Sequence, residues 1–193
     1  MPKVGMRHVV AAPITSEPIN QPIVYGSGMI ATRAVSADIT YNKDENSHYS
    51  DDVMSESDNS ITGGTISLVG SEFLPEARVA LFGVRKVTDG GKTIYRTTSV
   101  PSPYIGLGYM TVMIYKGVYK YTAKWIHKIQ FSLSGDSDKT KTENIEWQTE
   151  TATGNIMGVT IDDTGEPAFK DEVEFENAAD AIAWLDAKAN ISS

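Results

Sequence analysis

The sequence predicts a mainly β domain, a sandwich or barrel-like fold with a short helix near 72–82 and a C-terminal helix near 177–189. The first observation behind this is a long hairpin. Met110–Tyr115 and Val118–Leu133 are runs rich in residues that suit a pleated surface, split by Lys116-Gly117. In the second run Tyr119, Tyr121, Ala123, Trp125, Ile129, Phe131 and Leu133 share one parity. Lys120, Thr122, Lys124, Lys128, Gln130 and Ser132 share the other, which is the period of a strand with one apolar face. Only Ile126 and His127 break the alternation. Because the parity is the same on both sides of them, the pattern requires no bulge. The second observation is that the strongest helical signal comes last, at Asn177–Ala189, after a series of turn-bounded strands.

Length and composition set the frame. A chain of 193 residues, 40% hydrophobic, suits one domain, 1–193, with one well-buried core. It has no cysteine, which excludes disulfides and thiolate chemistry. Met1–Ala12 has no apolar h-region of a secretory signal, and no stretch has the length of a membrane span. The formal net charge of −8 argues against gripping nucleic acid by its phosphates, though not against letting it slide past.

In chain order, residues 1–25 contain Pro2, Pro13, Pro18 and Pro22 and read as an extended arm, ordered against a neighbouring subunit or frayed. Met29–Tyr41 alternates as a strand, with Val35, Ala37, Ile39 and Tyr41 on one side. Residues 42–60 read as a long acidic hairpin loop: Asp44, Glu45, Asp51, Asp52, Glu56 and Asp58 stand against Lys43. The strand Ile61–Val69 follows. In Gly70–Gly83 Ser71 is placed to cap a helix, Pro75 suits its first turn, and Gly83 suits a left-handed stop. Leu74, Ala77 and Leu81 form its apolar face, to lie against a sheet.

Thr88-Asp89-Gly90-Gly91 marks a tight hairpin within Val84–Thr98. Gly135–Asn144 is turn-rich, Asn144–Ile156 reads as a strand, and Val159–Lys170 as an edge strand with a turn at Asp162–Gly165. In the last helix Asn177 is the cap, and Ala178, Ile182 and Leu185 form a stripe flanked by Trp184. No internal repeat is visible.

Residues that carry chemistry are scattered. His8, His48 and His127 stand far apart. His48 has Asp44 and Asp52 four residues away on either side, a spacing that matters on a helix and not in a loop. His127 on a strand's apolar parity reads as structural. Gly26-Ser27-Gly28 lacks the spacing of a nucleophile elbow, and the G-L-G-Y of Gly106–Tyr109 precedes a strand instead of opening a helix. The expectation is therefore a protein that is not an enzyme, with no cofactor and no metal.

The order of motifs resembles a known family. L-P-E-A-x-x-A-L-F-G is followed by D-G, P-S-P, G-L-G-Y and Y-K-G-V-Y-K-Y-x-x-x-W-I-H-K-I-x-F. Then come D-K-T-K-T-E-N-I-E-W-Q-T and the closing E-F-E-N-A-A-D-A-I-A-W-L-D. From about Gly70 to Leu185 this looks like the major tail protein, or tail tube protein, of long-tailed, non-contractile bacteriophages. The resemblance implies a structural virion subunit that forms stacked hexameric rings, a conduit for genome delivery. It also implies the chain itself, tape-measure and tail-terminator proteins as partners, DNA passing the lumen without specific binding, and assembly from the host bacterial cytoplasm into the virion tail. Under it, Asp44, Glu45, Asp51, Asp52, Glu56 and Asp58 lie in an inter-ring loop. Tyr115, Tyr119, Tyr121, Trp125 and Phe131 belong to a tube-wall hairpin. The rival readings are the tube of a contractile tail or related injection system, and a monomeric β-sandwich binding module. The latter would use a flat cluster of exposed aromatics, for which Tyr104, Tyr109, Tyr115, Tyr119, Tyr121 and Trp125 are the candidates.

Overall fold

A computed structural model of the chain describes residues 3–18, 21–44, 46–50, 53–58, 60–132, 149–161 and 165–191. The fold is mainly β with two short helices, as the sequence predicts. In order the elements are β1 (Lys3–Ser16), β2 (Val24–Tyr25), β3 (Met29–Lys43), β4 (Asn46–Ser50), β5 (Val53–Asp58), β6 (Ile61–Phe73) and α1 (Pro75–Phe82). There follow β7 (Arg85–Asp89), β8 (Lys92–Arg96), β9 (Tyr104–Tyr115), β10 (Val118–Ser132), β11 (Glu150–Ile156), β12 (Val159–Thr160), β13 (Pro167–Ala168), β14 (Lys170–Phe175) and α2 (Ala178–Lys188). Six strands close into an antiparallel barrel in the order β1, β9, β10, β11, β6, β3 and back to β1. Closure removes most of the sheet edges that an open sheet would expose.

The barrel interior is filled by alternate residues: Val9 and Ala11, Ile66 and Leu68, Ile105 and Leu107, Ile129 and Phe131. Beyond the end of β6, α1 lays Ala77, Leu81 and Phe82 onto the same core. Phe82 meets Phe73 edge-on at 5.5 Å between centroids and Phe131 at 6.3 Å. Gly83 ends the helix in the left-handed conformation (φ 68°), its N–H bonded to Val79 O, so that part of the expectation holds. The proposed cap does not. Ser71 remains in β6, and Leu74 takes the N-cap position with no side-chain bond. The ladder keeps Gly70–Phe73 because Gly70 pairs with both Ala34 and Glu150, and Phe73 with Thr32. Leu74, assigned to the buried face, is exposed.

β10 changes partners halfway along. Tyr121–Ile126 pair with β14, whereas Ile129–Ser132 pair with β11. Between them the register against β9 slips: Ile126 faces Leu107 and Ile129 faces Ile105. This irregularity, which the parity argument found unnecessary, turns the strand over. Ala123 and Trp125 lie outside the barrel under α2, while Ile126, Ile129 and Phe131 lie inside. The apparent single apolar face is two faces, both covered. The freed backbone groups are satisfied: His127 N–H donates to Phe169 O at 3.1 Å, and Lys128 O accepts from Met157 N at 3.0 Å.

On the outer wall α2 packs Ala181 and Leu185 against Val10, Ala12, Met110, Ala123 and Trp125. Full burial of a leucine such as Leu185 is worth about 1.5–3 kcal/mol. Asn177 occupies the N-cap position without capping the backbone; its side chain donates to Asp180 Oδ2 at 3.2 Å.

The arm expected over residues 1–25 is corrected. Lys3–Ser16 is β1, a barrel strand held between β3 and β9. Pro13 is tolerated because a strand residue's N and C=O point to the same side, and Pro13 O accepts from Gly26 N at 2.8 Å. The missing N–H therefore faces the short, irregular β2 side, not the β9 ladder. Two further hairpins are local. β7–β8 turns at Gly90-Gly91 as the sequence indicates, and β12 pairs with β13. The segment Asp171–Phe175, for which no element was assigned, belongs to β14 (Lys170–Phe175). Leu133, the Gly135–Asn144 turn, the start of the Asn144–Ile156 strand and the Asp162–Thr164 part of the following turn lie outside the described residues.

Candidate assembly surface

A long hairpin grows from β3 and β6. Their ladder runs out to Lys43↔Ile61, and Asp44 N then donates to Ser60 O at 2.9 Å. Beyond it the chain continues as the β4–β5 pair, Asn46↔Asp58 to Ser50↔Val53. The expected solvated loop is thus corrected to a hairpin over its described residues. Of the six acidic residues assigned to it, Asp44 is exposed at the root, and Glu56 and Asp58 lie on β5 opposite His48 and Asn46. Glu45, Asp51 and Asp52 lie outside the described residues.

The aromatics of the β9–β10 hairpin do not share one surface. Phe131 fills the barrel interior, Trp125 is buried beneath α2, and Tyr121 packs at the edge of that same outer cluster. Of the five aromatics assigned to the tube wall, Tyr115 and Tyr119, beside the turn, are exposed. The turn itself is formed by Lys116 (φ 49°) and Gly117 (φ 81°), two positive φ values that suit a two-residue hairpin. Tyr104 is exposed under the Lys128 ammonium, 4.6 Å from the ring centroid, and Tyr109 is buried in the barrel. The six candidates for a flat glycan platform are therefore dispersed over both faces.

Unpaired backbone edges persist despite the closed barrel. β1 meets β3 only over Val9–Ala11, while its Lys3–Arg7 stretch pairs with β9 alone among the described strands. β14 has β10 as its one partner among them. Such edges are sites at which another strand can add.

Charged groups inside these elements serve to fasten the fold. Asp171 on β14 accepts from His127 Nε2 at 3.0 Å and from Lys188 Nζ at 2.9 Å, which ties β10, β14 and α2 together. Burial opposes the charged carboxylate, yet Lys188 and His127 outweigh it and hold Asp171 below its usual range. Burial also holds the His127 imidazole below its ordinary value, against the pull of Asp171. A carboxylate only accepts, so the neutral His127 carries its proton on Nε2. On the other side of α2, His8 Nε2 and Asp186 Oδ1 are 2.7 Å apart. Glu172 holds both Lys124, at 3.0 Å, and Lys170, at 2.5 Å. Burial pushes the Tyr25 and Tyr109 hydroxyls up to about 12.

A second hairpin has the opposite charge; the sequence marked its turn at Thr88–Gly91 but not its basic character. Among the described strands β7 and β8 pair only with each other, and Arg85, Lys86, Lys92 and Arg96 are all exposed. Among the described residues no group of His, Asp and Glu could hold a metal ion. No protein-family model matches the chain, and no curated protein matches it.

Proposed function

We propose that the chain is a structural subunit of a bacteriophage tail tube, assembling into stacked, six-membered rings through which the genome leaves the virion. The observation that carries this reading is the β3–β6 hairpin. A barrel that is otherwise closed extends two of its strands past the core, out to Lys43 and Ile61, and continues them as β4–β5 with an acidic sequence. Paired strands that run on past the core suit contact with another subunit. The edges of β1 and β14 support the same reading, because a ring can continue a sheet from copy to copy. The motif resemblance from about Gly70 to Leu185 names the tube as the assembly.

The electrostatics agree. Six copies at −8 each carry a formal charge of about −48, and the share of it that faces the lumen repels phosphates and lets DNA slide without being held. Tape-measure and tail-terminator proteins are the partners that such a tube requires at its core and end. A glycan-binding module finds less support, since Tyr109 and Trp125 are buried on opposite faces of the same hairpin.

Negative-stain electron microscopy of the purified protein across concentration, with its mass in solution, tests the reading. Hollow tubes or six-fold rings are the expected result. A protein that stays monomeric at every concentration and shows glycan binding instead overturns it.

A further inference from the structure

The turn of the β9–β10 hairpin is apolar. Turns ordinarily carry polar residues and glycine, yet Tyr115, Val118 and Tyr119 around Lys116-Gly117 are 48%, 62% and 53% exposed. Val4 is exposed beside them, next to Lys3, whose partner on β9 is Met113. Single exposed apolar residues need no explanation, whereas four gathered at one tip mark a contact. Lys116 adds a cation to the tip, its Nζ 5.4 Å from the centroid of the Tyr115 ring.

The far end of the same ladder carries the complement. β9 and β10 pair from Tyr115↔Val118 to Tyr104↔Gln130, about 40 Å of strand at roughly 3.3 Å per residue. Gln130 Nε2 donates to Ser102 O at 2.9 Å, and Ser102 Oγ donates to Phe82 O at 3.3 Å, which fixes α1 at that far end. There β6 passes into α1 through Leu74. Leu74 is 44% exposed, and Glu72 and Glu76 on either side of it are exposed as well. It stands in the N-cap position with no side-chain bond, so this leucine neither caps its own helix nor joins the core. No ion pair with a described residue engages Glu72, Glu76 or Lys116.

We infer that the β9–β10 turn of one copy docks on the start of α1 in the next copy, Val118 and Tyr119 against Leu74, and Lys116 between Glu72 and Glu76. This deepens the tube reading and rests on it, and the contact is separate from the β3–β6 hairpin. Two complementary patches at opposite ends of one ladder make a heterologous contact, which repeats along an axis and does not close on itself. The basic β7–β8 hairpin begins at Arg85, two residues after Gly83 ends α1, and repels Lys116. Attraction at Glu72 and Glu76 and repulsion at Arg85 together select the corner on which the tip sits.

The test uses full-length protein. Leu74→Ser is expected to raise the concentration needed for self-association by about tenfold, while its thermal midpoint stays level or rises because serine caps the helix. A leucine with a purely structural role would lose stability and leave association unchanged. Lys116→Asp keeps a residue that tolerates the φ of 49° and reverses the charge. It is expected to weaken association by about threefold or more, as is Glu72→Lys combined with Glu76→Lys; the variant carrying all three should recover most of the loss. Because the chain has no cysteine, Val118→Cys and Leu74→Cys proteins can be mixed and oxidised. A mixed disulfide between copies is the expected result, with Thr93→Cys on the basic hairpin as the control that does not form one with Val118→Cys. A cross-link at Thr93 in place of Leu74 overturns the inference. Rings or tubes that form with no cross-link at Leu74 and no response to Leu74→Ser overturn this contact and leave the tube reading standing. Wild type that remains monomeric throughout, with no cross-link, overturns both.

Discussion

Trp125 and Tyr25 meet edge to face, with ring centroids 5.1 Å apart and planes at 86°. The indole Nε1–H donates to Tyr25 Oη at 3.2 Å, and Tyr25 Oη–H donates to the carbonyl of His127 at 2.9 Å. One hydroxyl thus satisfies a buried indole and the backbone at the place where β10 slips its register. Tyr25→Phe removes that hydroxyl and leaves both groups unpaired. We expect a loss of about 1–3 kcal/mol, read as a lower urea midpoint at unchanged slope. An unchanged midpoint would show that water replaces the hydroxyl.

The G-L-G-Y motif, already set aside as a nucleotide loop, has a packing role. A Cβ on Gly108 would sit 2.7 Å from Trp125 Cε3 and 2.8 Å from Leu185 Cδ2; one on Gly106 would sit 2.5 Å from Trp125 Cζ2. The two glycines let the indole lie against the barrel wall under α2. Gly108→Ala is expected to destabilise by about 1–3 kcal/mol through overpacking. Gly5→Ala, where nothing lies within 4 Å, serves as the neutral control in the same thermal melts.

Stability should fall on mild acidification. His127 is held below its ordinary value in the fold, so between the folded and unfolded values the unfolded chain binds more protons. The loss begins as pH drops through the unfolded histidine value of about 6.5 and levels off below the folded one. Asp171 and Glu172, held low, add a separate loss that begins only as pH falls through the ordinary carboxylate range. His127→Gln keeps a neutral donor near Asp171 and should flatten the slope between about pH 7 and 5. A wild-type slope that survives this substitution would place the titration elsewhere.

Lys43 and Ile61 are register partners, so the acidic hairpin can be removed without disturbing the ladder. Replacing Asp44–Ser60 by Asn-Gly should give a folded subunit with an unchanged unfolding midpoint that no longer stacks. Normal tubes from this variant would place the contacts between rings on other surfaces.

What was legible in the sequence was local. The Gly83 stop, the Gly90-Gly91 turn, the Lys116-Gly117 turn and the final helix all follow from residues adjacent in the chain. β1 was misread because Pro13 argues against a central strand unless its N faces a side with little pairing, which only the topology reveals. The turn-over at Ile126–His127 was hidden because the odd residues are apolar before and after it for different reasons, first α2 and then the barrel interior. For the same reason Trp125 and Phe131 looked like one wall. The acidic stretch announced itself by composition. The basic one did not, since Arg85, Lys86, Lys92 and Arg96 are ordinary in number and become conspicuous only when the hairpin stands clear of the body.

The meeting of β1 with α2 has a consequence in time. Val10 and Ala12 stay bare on their outer side until Ala181, Leu185 and Ala189, far along the chain, pack onto them. β1 also waits for Met110 and its neighbours on β9 before its ladder is complete. Contacts this distant in sequence make folding slow, and they leave the outer wall uncovered until α2 has docked. The outer cover of β1 is therefore supplied from far along the chain, by a helix that the barrel's own closure does not need.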